Sequence, residues 1–242
     1  MPLVEFRDVS YEIDGRRILS DVSFTVDAGE TLVLLGRSGS GKTTTLKMTN
    51  GMLFPTEGQV LVDGRATTEW DPIRLKRHIG YVIQDVGLFP HFTVGENVGL
   101  VPNLEGWPRP RVEERVSRLL DSVGLPAAEF LGRYPRQLSG GQRQRVGVAR
   151  ALGADPPLLL FDEPFGAVDP VTRGELQHQF LELRRAFQKT AMFVTHDVRE
   201  ALRLGSRIAL LAHGRLEVIA APREFRQART EEARAFLAGL ED

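Results

Sequence analysis

Gly36-Arg37-Ser38-Gly39-Ser40-Gly41-Lys42-Thr43-Thr44 follows the apolar run 31–35 and precedes a segment, 43–50, that can be helical. Strand, glycine loop and helix are the setting a phosphate-binding loop needs, and the residues satisfy G-x-x-x-x-G-K-[ST] at every fixed position. Glycines let successive backbone N–H groups turn inward around an anion, where a Cβ would obstruct them. The helix that follows adds the partial positive charge of its N-terminus. Lys42 can reach β- and γ-phosphates, and the Thr43 hydroxyl can ligate Mg²⁺. The bland alternative is a plain glycine-rich turn; four constrained positions with the correct flanks make a chance match rare.

Composition sets the outer bounds. The chain has 242 residues, 42% of them hydrophobic, with 31 basic against 32 acidic side chains and a net charge of -1. That suits one large α/β domain, or a core with a smaller companion. It supplies no basic footprint for nucleic acid, so no nucleic-acid partner is expected. Cysteine is absent, which rules out a disulfide framework and thiolate metal sites and is compatible with the cytosol. Residues 1–5 lack the basic and apolar regions of a signal peptide, and no apolar run approaches the ~20 residues that span a bilayer. Any membrane role is therefore expected to come through a partner.

Outward from the loop, short strands are expected at 3–6, 18–19, 22–26 and 31–35, with turns at Asp14-Gly15 and Ala28-Gly29. Further strands follow at 59–62 and 79–83, the latter ending at Gln84. The texture then changes. The turn-like, apolar Gly87-Leu88-Phe89-Pro90-His91-Phe92 leads into helical segments, the clearest being 111–123 with Val112, Val116, Leu119, Leu120 and Val123 on one face. The strand pattern resumes at 158–161, continues at 191–195 and closes with a ribbon, 207–211 and 216–219, joined through His213-Gly214. Asp197 and Glu200 have capping-box spacing at the start of a helix. This is an α/β fold: a nucleotide-binding core with a β layer over 1–86 and 157–221, an inserted helical part over 87–156, and a charged helical tail over 222–242.

Two motifs outside the loop carry chemistry. Asp162 and Glu163 follow four apolar residues, at the carboxyl end of a buried strand where open α/β sheets place ligands. Asp162 is assigned to Mg²⁺ and Glu163 to the water that attacks a γ-phosphate. The bland reading, an acidic pair leaving a strand at the surface, loses its weight beside an upstream phosphate loop. Leu138-Ser139-Gly140-Gly141-Gln142 opens a helix with a capping box by spacing. Two glycines in its first turn cost ~1 kcal/mol each relative to alanine. Stability alone does not select them; they leave the first N–H groups unshielded, which makes a second anion site.

In this order, the phosphate loop, 138–142, 158–163 and a histidine closing the next strand resemble the nucleotide-binding subunit of ABC transporters, with a P-loop NTPase (RecA-like) core. The resemblance covers nearly the whole chain and implies ATP and Mg²⁺ as ligands. It makes Gln84 the glutamine that senses Mg²⁺ and the membrane partner, Asp169 the D-loop aspartate, and His196 the switch histidine at the γ-phosphate. It implies a head-to-tail dimer in which Ser139, Gly140, Gly141 and Gln142 close on ATP held by the other copy's Lys42. Taken alone, Gln84 and His196 are weak signals. Relatives commonly stack an aromatic residue on adenine at a position that falls here on Ile13; either Tyr11, two residues earlier, stands in, or Ile13 packs without a π contact. Arg37 replaces a proline common among relatives, and is expected to stiffen the loop less and add positive charge.

The wording of 43–48, 79–84, 87–91 and 163–170 resembles ATPases of bacterial importers for glycine betaine, choline, carnitine and related osmoprotectants. That implies transmembrane permease subunits as partners, an extracytoplasmic solute-binding protein indirectly, and a peripheral place on the cytoplasmic face of the membrane. Many such ATPases carry a C-terminal pair of nucleotide-sensing modules, for which no room is expected before Asp242. The competing classes are an importer ATPase for another solute, a soluble ABC ATPase and an unrelated P-loop enzyme. Phe92, in the apolar turn after Gln84, is expected either to pin the helical part to the core or to line a groove for a permease helix.

Overall fold

The computed structural model describes residues 1–84, 86–166 and 170–240. The chain divides into two compact units, 1–76 with 189–242, and 77–188.

The first unit opens with β1 (Val4–Ile13) and β2 (Arg16–Val26), an antiparallel hairpin. Asp14 and Gly15 at its turn both have left-handed backbones, φ 52° and 72°, whose twist matches the strands they join. β3 (Thr31–Leu35), α1 (Lys42–Thr49), β4 (Glu57–Val62), β5 (Arg65–Ala66) and α2 (Pro72–His78) follow. β4 pairs with β1 and β5, giving a sheet in the order β2-β1-β4-β5. The hairpin strands are longer than the broken alternation of 3–26 indicates. Register shifts absorb the breaks: Asp8 and Asp21 take φ 47° and 51°, and the buried Ser10 hydroxyl accepts the Asp21 N–H at 3.1 Å.

The second unit contains β6 (Ile79–Val82), α3 (Val94–Leu104), α4 (Arg109–Ser122), α5 (Ala127–Phe130), α6 (Gly140–Leu152), β7 (Leu158–Asp162) and α7 (Pro170–Phe187). β6 and β7 run parallel. The expected face of α4 is its buried face: Val112, Val116, Leu119 and Leu120 all point inward.

The chain then returns to the first unit with β8 (Thr190–Thr195), α8 (Val198–Leu204), β9 (Arg207–Ala212), β10 (Arg215–Ala220), α9 (Pro222–Phe225) and α10 (Glu231–Ala238). β3 lies between β8 and β9, parallel to both, and β10 pairs antiparallel with β9. Every residue of β3 and β8 is buried, which is why neither alternates: a parallel strand covered on both faces needs apolar side chains on both. Each buried Leu or Val here contributes about 1.5–3 kcal/mol. That packing holds the carboxyl end of β3, where the phosphate loop begins.

Candidate functional site

The loop after β3 is shaped by two close approaches. A Cβ on Gly36 would lie 2.3 Å from the Leu211 carbonyl oxygen and 2.5 Å from Ser40 Oγ. Gly41 has φ 103°, and a Cβ there would meet Leu19 Cδ2 at 2.4 Å. Lys42 is only 4% exposed, and its Nζ donates to the carbonyl oxygens of Gly36 at 2.7 Å and Arg37 at 2.8 Å. The ammonium is thus folded back over the loop. Among the described residues the buried Ser40 hydroxyl has no hydrogen-bond partner, a state that costs about 1–3 kcal/mol. A loop held tight at Gly36 and Gly41, with a buried hydroxyl at Ser40, fits a bound phosphate. Arg37 departs from expectation: its Nε donates to Glu232 Oε1 at 2.5 Å, so its charge is matched within the chain.

Leu19 touches the space at Gly41 and pairs across the hairpin with Tyr11. Tyr11 is half-buried, whereas Ile13, opposite Arg16 near the hairpin turn, is 49% exposed. Both stand on β1.

In the second unit the structure gathers Gln84, Asp162 and Glu163. Asp162 ends β7 and accepts a hydrogen bond from the Tyr81 hydroxyl of neighbouring β6 at 3.2 Å. Burial first, then the Asp162 charge and that bond, raise the Tyr81 pKa and keep the phenol a donor. Glu163 takes a left-handed backbone, φ 46°, which costs a non-glycine residue on the order of 1–3 kcal/mol and is concentrated at functional positions. Gly166 donates to the Glu163 carbonyl at 3.1 Å. A Cβ on Gly166 would stand 3.6 Å from Gln84 Nε2 and 3.8 Å from Glu163 Oε2, ordinary contact distances that put the amide and the carboxylate at one place. Arg150 of α6 donates to the carbonyl oxygens of Val86 at 2.7 Å and Gly87 at 2.6 Å, fixing the chain beyond Gln84 to the helix that Ser139 opens. Burial lowers the Arg150 pKa.

Ser139 caps α6 as its spacing indicates. Its hydroxyl accepts the Gln142 N–H at 3.2 Å, and Gln142 Oε1 accepts the Ser139 N–H at 2.9 Å. Among the described residues nothing lies within 4 Å of a Cβ placed on Gly140, so the helix start is open there. Asp169 lies outside the described residues.

The segment around His196 differs from the expected capping box. Asp197 does cap α8, accepting the Arg199 N–H at 2.7 Å. Glu200 does not answer the Asp197 N–H directly. That N–H donates to Thr195 Oγ1 at 3.0 Å, and the Thr195 hydroxyl donates to Glu200 Oε2 at 2.6 Å. A hydroxyl is inserted into the box, and His196 lies within the closed span.

The 87–92 turn is organised by a residue that sequence reasoning missed. Asn97 of α3 is fully buried; its Oδ1 accepts the Phe89 N–H at 2.8 Å, and its Nδ2 donates to the carbonyl oxygens of Phe89, Phe92 and Thr93. The backbone is held, and Phe89 remains 40% exposed while Phe92 is half-buried against it at 5.3 Å between ring centroids. An asparagine one turn into a helix carries no signal of this kind. Tyr81 and Arg150 were likewise silent, since each acts through a partner remote in sequence.

Comparison with known proteins places this geometry. Residues 19–166 match the family model described as ABC transporter. The osmoprotectant import ATP-binding protein OsmV of Salmonella typhimurium is 51% identical over 86% of this chain and 54% of its own length. The glycine betaine/carnitine/choline transport ATP-binding protein OpuCA of Bacillus subtilis is 48% identical over 87% of this chain and 55% of its own. The chain thus spans about half the length of these relatives. It covers 68% of the glycine betaine uptake system ATP-binding protein YehX of Escherichia coli, at 45% identity. A solved ATP-binding cassette, a dimer in a post-hydrolysis state bound to ADP and Pi, superposes with a TM-score of 0.79 at 33% identity, over 91% of this chain and 99% of that one. The fold is that of a P-loop NTPase, and the chain belongs to the ABC transporter family.

Proposed function

We propose that this chain is the ATP-hydrolysing subunit of a bacterial importer for osmoprotectants of the quaternary-amine type. One observation carries the ATPase reading: in addition to a complete phosphate loop, the chain holds a second, Ser139-capped helix start with an open glycine in its first turn. A self-sufficient NTPase has no use for it. In a two-fold head-to-tail dimer, Ser139, Gly140, Gly141 and Gln142 of each copy close on ATP held by Lys42 of the other, giving two equivalent sites. The solute class rests on the relatives named for osmoprotectants, glycine betaine, carnitine and choline. Relatives at 42% identity named for spermidine/putrescine import make polyamines the competing solutes.

Each residue has a role in that reading. Gly36 to Thr44 cradle the phosphates, Lys42 offsets charge on the β- and γ-oxygens, and Tyr11 or Ile13 packs on adenine. Glu163 takes the proton from water as its oxygen bonds to the γ-phosphorus and the bond to the ADP oxygen breaks, yielding ADP and phosphate. His196 contacts the γ-phosphate, and Asp169 is the D-loop aspartate. Thr43, Gln84 and Asp162, hard oxygen donors, would hold Mg²⁺; such a set suits an ion that takes its other ligands from phosphate and water. When bound, Mg²⁺ neutralises charge developing on the transferred phosphate. The core is 1–86 with 157–221, the helical signature part 87–156 and the tail 222–242. The subunit sits peripherally on the cytoplasmic membrane face, driving permease subunits that receive solute from an extracytoplasmic binding protein.

The test has two arms. Glu163→Gln with Mg-ATP should form a stable dimer by light scattering, and Ser139→Ala on that background should weaken it. The transporter assembled with its permease should take up glycine betaine, choline or carnitine in preference to spermidine. A monomeric Glu163→Gln protein refutes the sandwich, and spermidine uptake refutes the solute class.

A further inference from the structure

The two ends of α10 are each closed by an arginine from a different element of the first unit. At its N-terminal end, Glu232 receives Arg37 of the phosphate loop, across 195 residues of chain. At its C-terminal end, the Gly239 carbonyl receives Arg199 Nη2 at 3.2 Å, from the first turn of α8, three residues beyond His196. From Glu232 to Gly239 the helix rises about 10 Å.

The helix is a firm mount. Phe225 of α9 and Ala233 of α10 are both fully buried, and Thr230 caps α10 by accepting the Ala233 N–H at 3.2 Å. Glu232 is only 17% exposed in its side chain, against 70% for Arg37, so the carboxylate is the fixed partner and the loop arginine comes to it. Both contacts suit the helix dipole, with an acid in the first turn and a cation at the terminal carbonyl. Arg37 is also the residue whose carbonyl accepts Lys42 Nζ. A tether on Arg37 therefore constrains the peptide to which the phosphate-binding lysine is anchored.

We infer that α10 is a strap across the phosphate loop and the switch helix, in which Glu232 is a positioning residue that pre-orders the loop for ATP through Arg37. This rests on the ATP-binding role proposed for Lys42 and goes beyond it by linking the tail to the loop and to α8. The linkage is reciprocal: a strap that favours the ATP-ready loop is tightened by ATP. Because the ion pair is solvent-accessible, its effect on affinity is small, about two- to fivefold, and screened by salt.

The experiment uses the full chain. Glu232→Ala should raise the ATP KM about two- to fivefold with kcat unchanged. Arg37→Ala with Glu232→Ala should be no worse than Arg37→Ala alone. On the hydrolysis-deficient Glu163→Gln background, ATP should slow amide exchange over 230–239, and Glu232→Ala should abolish that protection while Glu232→Asp retains part of it. Lys42→Ala separates the two readings. Lys42-dependent ATP binding together with an unchanged or lower KM for Glu232→Ala, or with α10 exchange indifferent to ATP, overturns the strap alone. ATP binding indifferent to Lys42 overturns both.

Discussion

The buried Thr195 hydroxyl donates to the buried Glu200 carboxylate at 2.6 Å, and the peptide carrying His196 is held inside that bond. The same hydroxyl accepts the Asp197 N–H, so one side chain fixes the backbone on both sides of His196. Glu200→Ala should cost about 1–3 kcal/mol of stability by leaving that hydroxyl without its acceptor. Freed from its mount, His196 should lose its alignment, lowering kcat by about 10–100-fold with a smaller change in KM. Glu200→Gln keeps an acceptor and should recover most of the rate. Steady-state ATPase kinetics on the two variants, with thermal melts, decide it; equal losses for Ala and Gln would show that the carboxylate's charge, not the bond, matters.

Lys42 is folded onto the carbonyls of Gly36 and Arg37. Lys42→Ala should abolish turnover and weaken ATP binding, read by calorimetry. Near-wild-type hydrolysis would remove the phosphate-loop assignment.

Glu163 holds a left-handed backbone beside Gln84. Glu163→Gln should lower hydrolysis by about 10²–10⁴-fold while ATP still binds. Glu163→Gly, which relieves the backbone, should raise the melting temperature while remaining inactive. A lower melting temperature for the glycine variant would mean that the carboxylate's own contacts outweigh the strain.

Asn97 spends its amide on the Phe89–Thr93 backbone. Asn97→Ala should cost about 2–3 kcal/mol, seen in denaturant melts, because several buried backbone groups lose a partner together. The Phe89 ring, by contrast, is 40% exposed. Phe89→Asp should leave the melting temperature within a few degrees and the basal ATPase intact, yet abolish co-purification with the proposed permease. A large melting-temperature loss would return the ring to the core, and unchanged association would take it out of the groove.

What the sequence determined by itself is what a few adjacent residues can enforce. The loop from Gly36 to Thr44 and the Ser139–Gln142 box close through bonds that span no more than six residues, and Asp14-Gly15 follows from the backbone freedom of the residues at the turn. The face of α4 followed from helical periodicity, which packing only had to accept. The pairings decided by tertiary structure join groups whose meeting no local pattern encodes. Tyr81 reaches Asp162 because β6 lies parallel to β7, and Arg37 reaches Glu232 across 195 residues because the tail docks by Phe225 and Ala233. Glu200 shows the boundary between the two: its spacing forecast a reach-back to Asp197, but a hydroxyl at the end of β8 stood nearer, and a buried carboxylate takes the donor that burial leaves within reach.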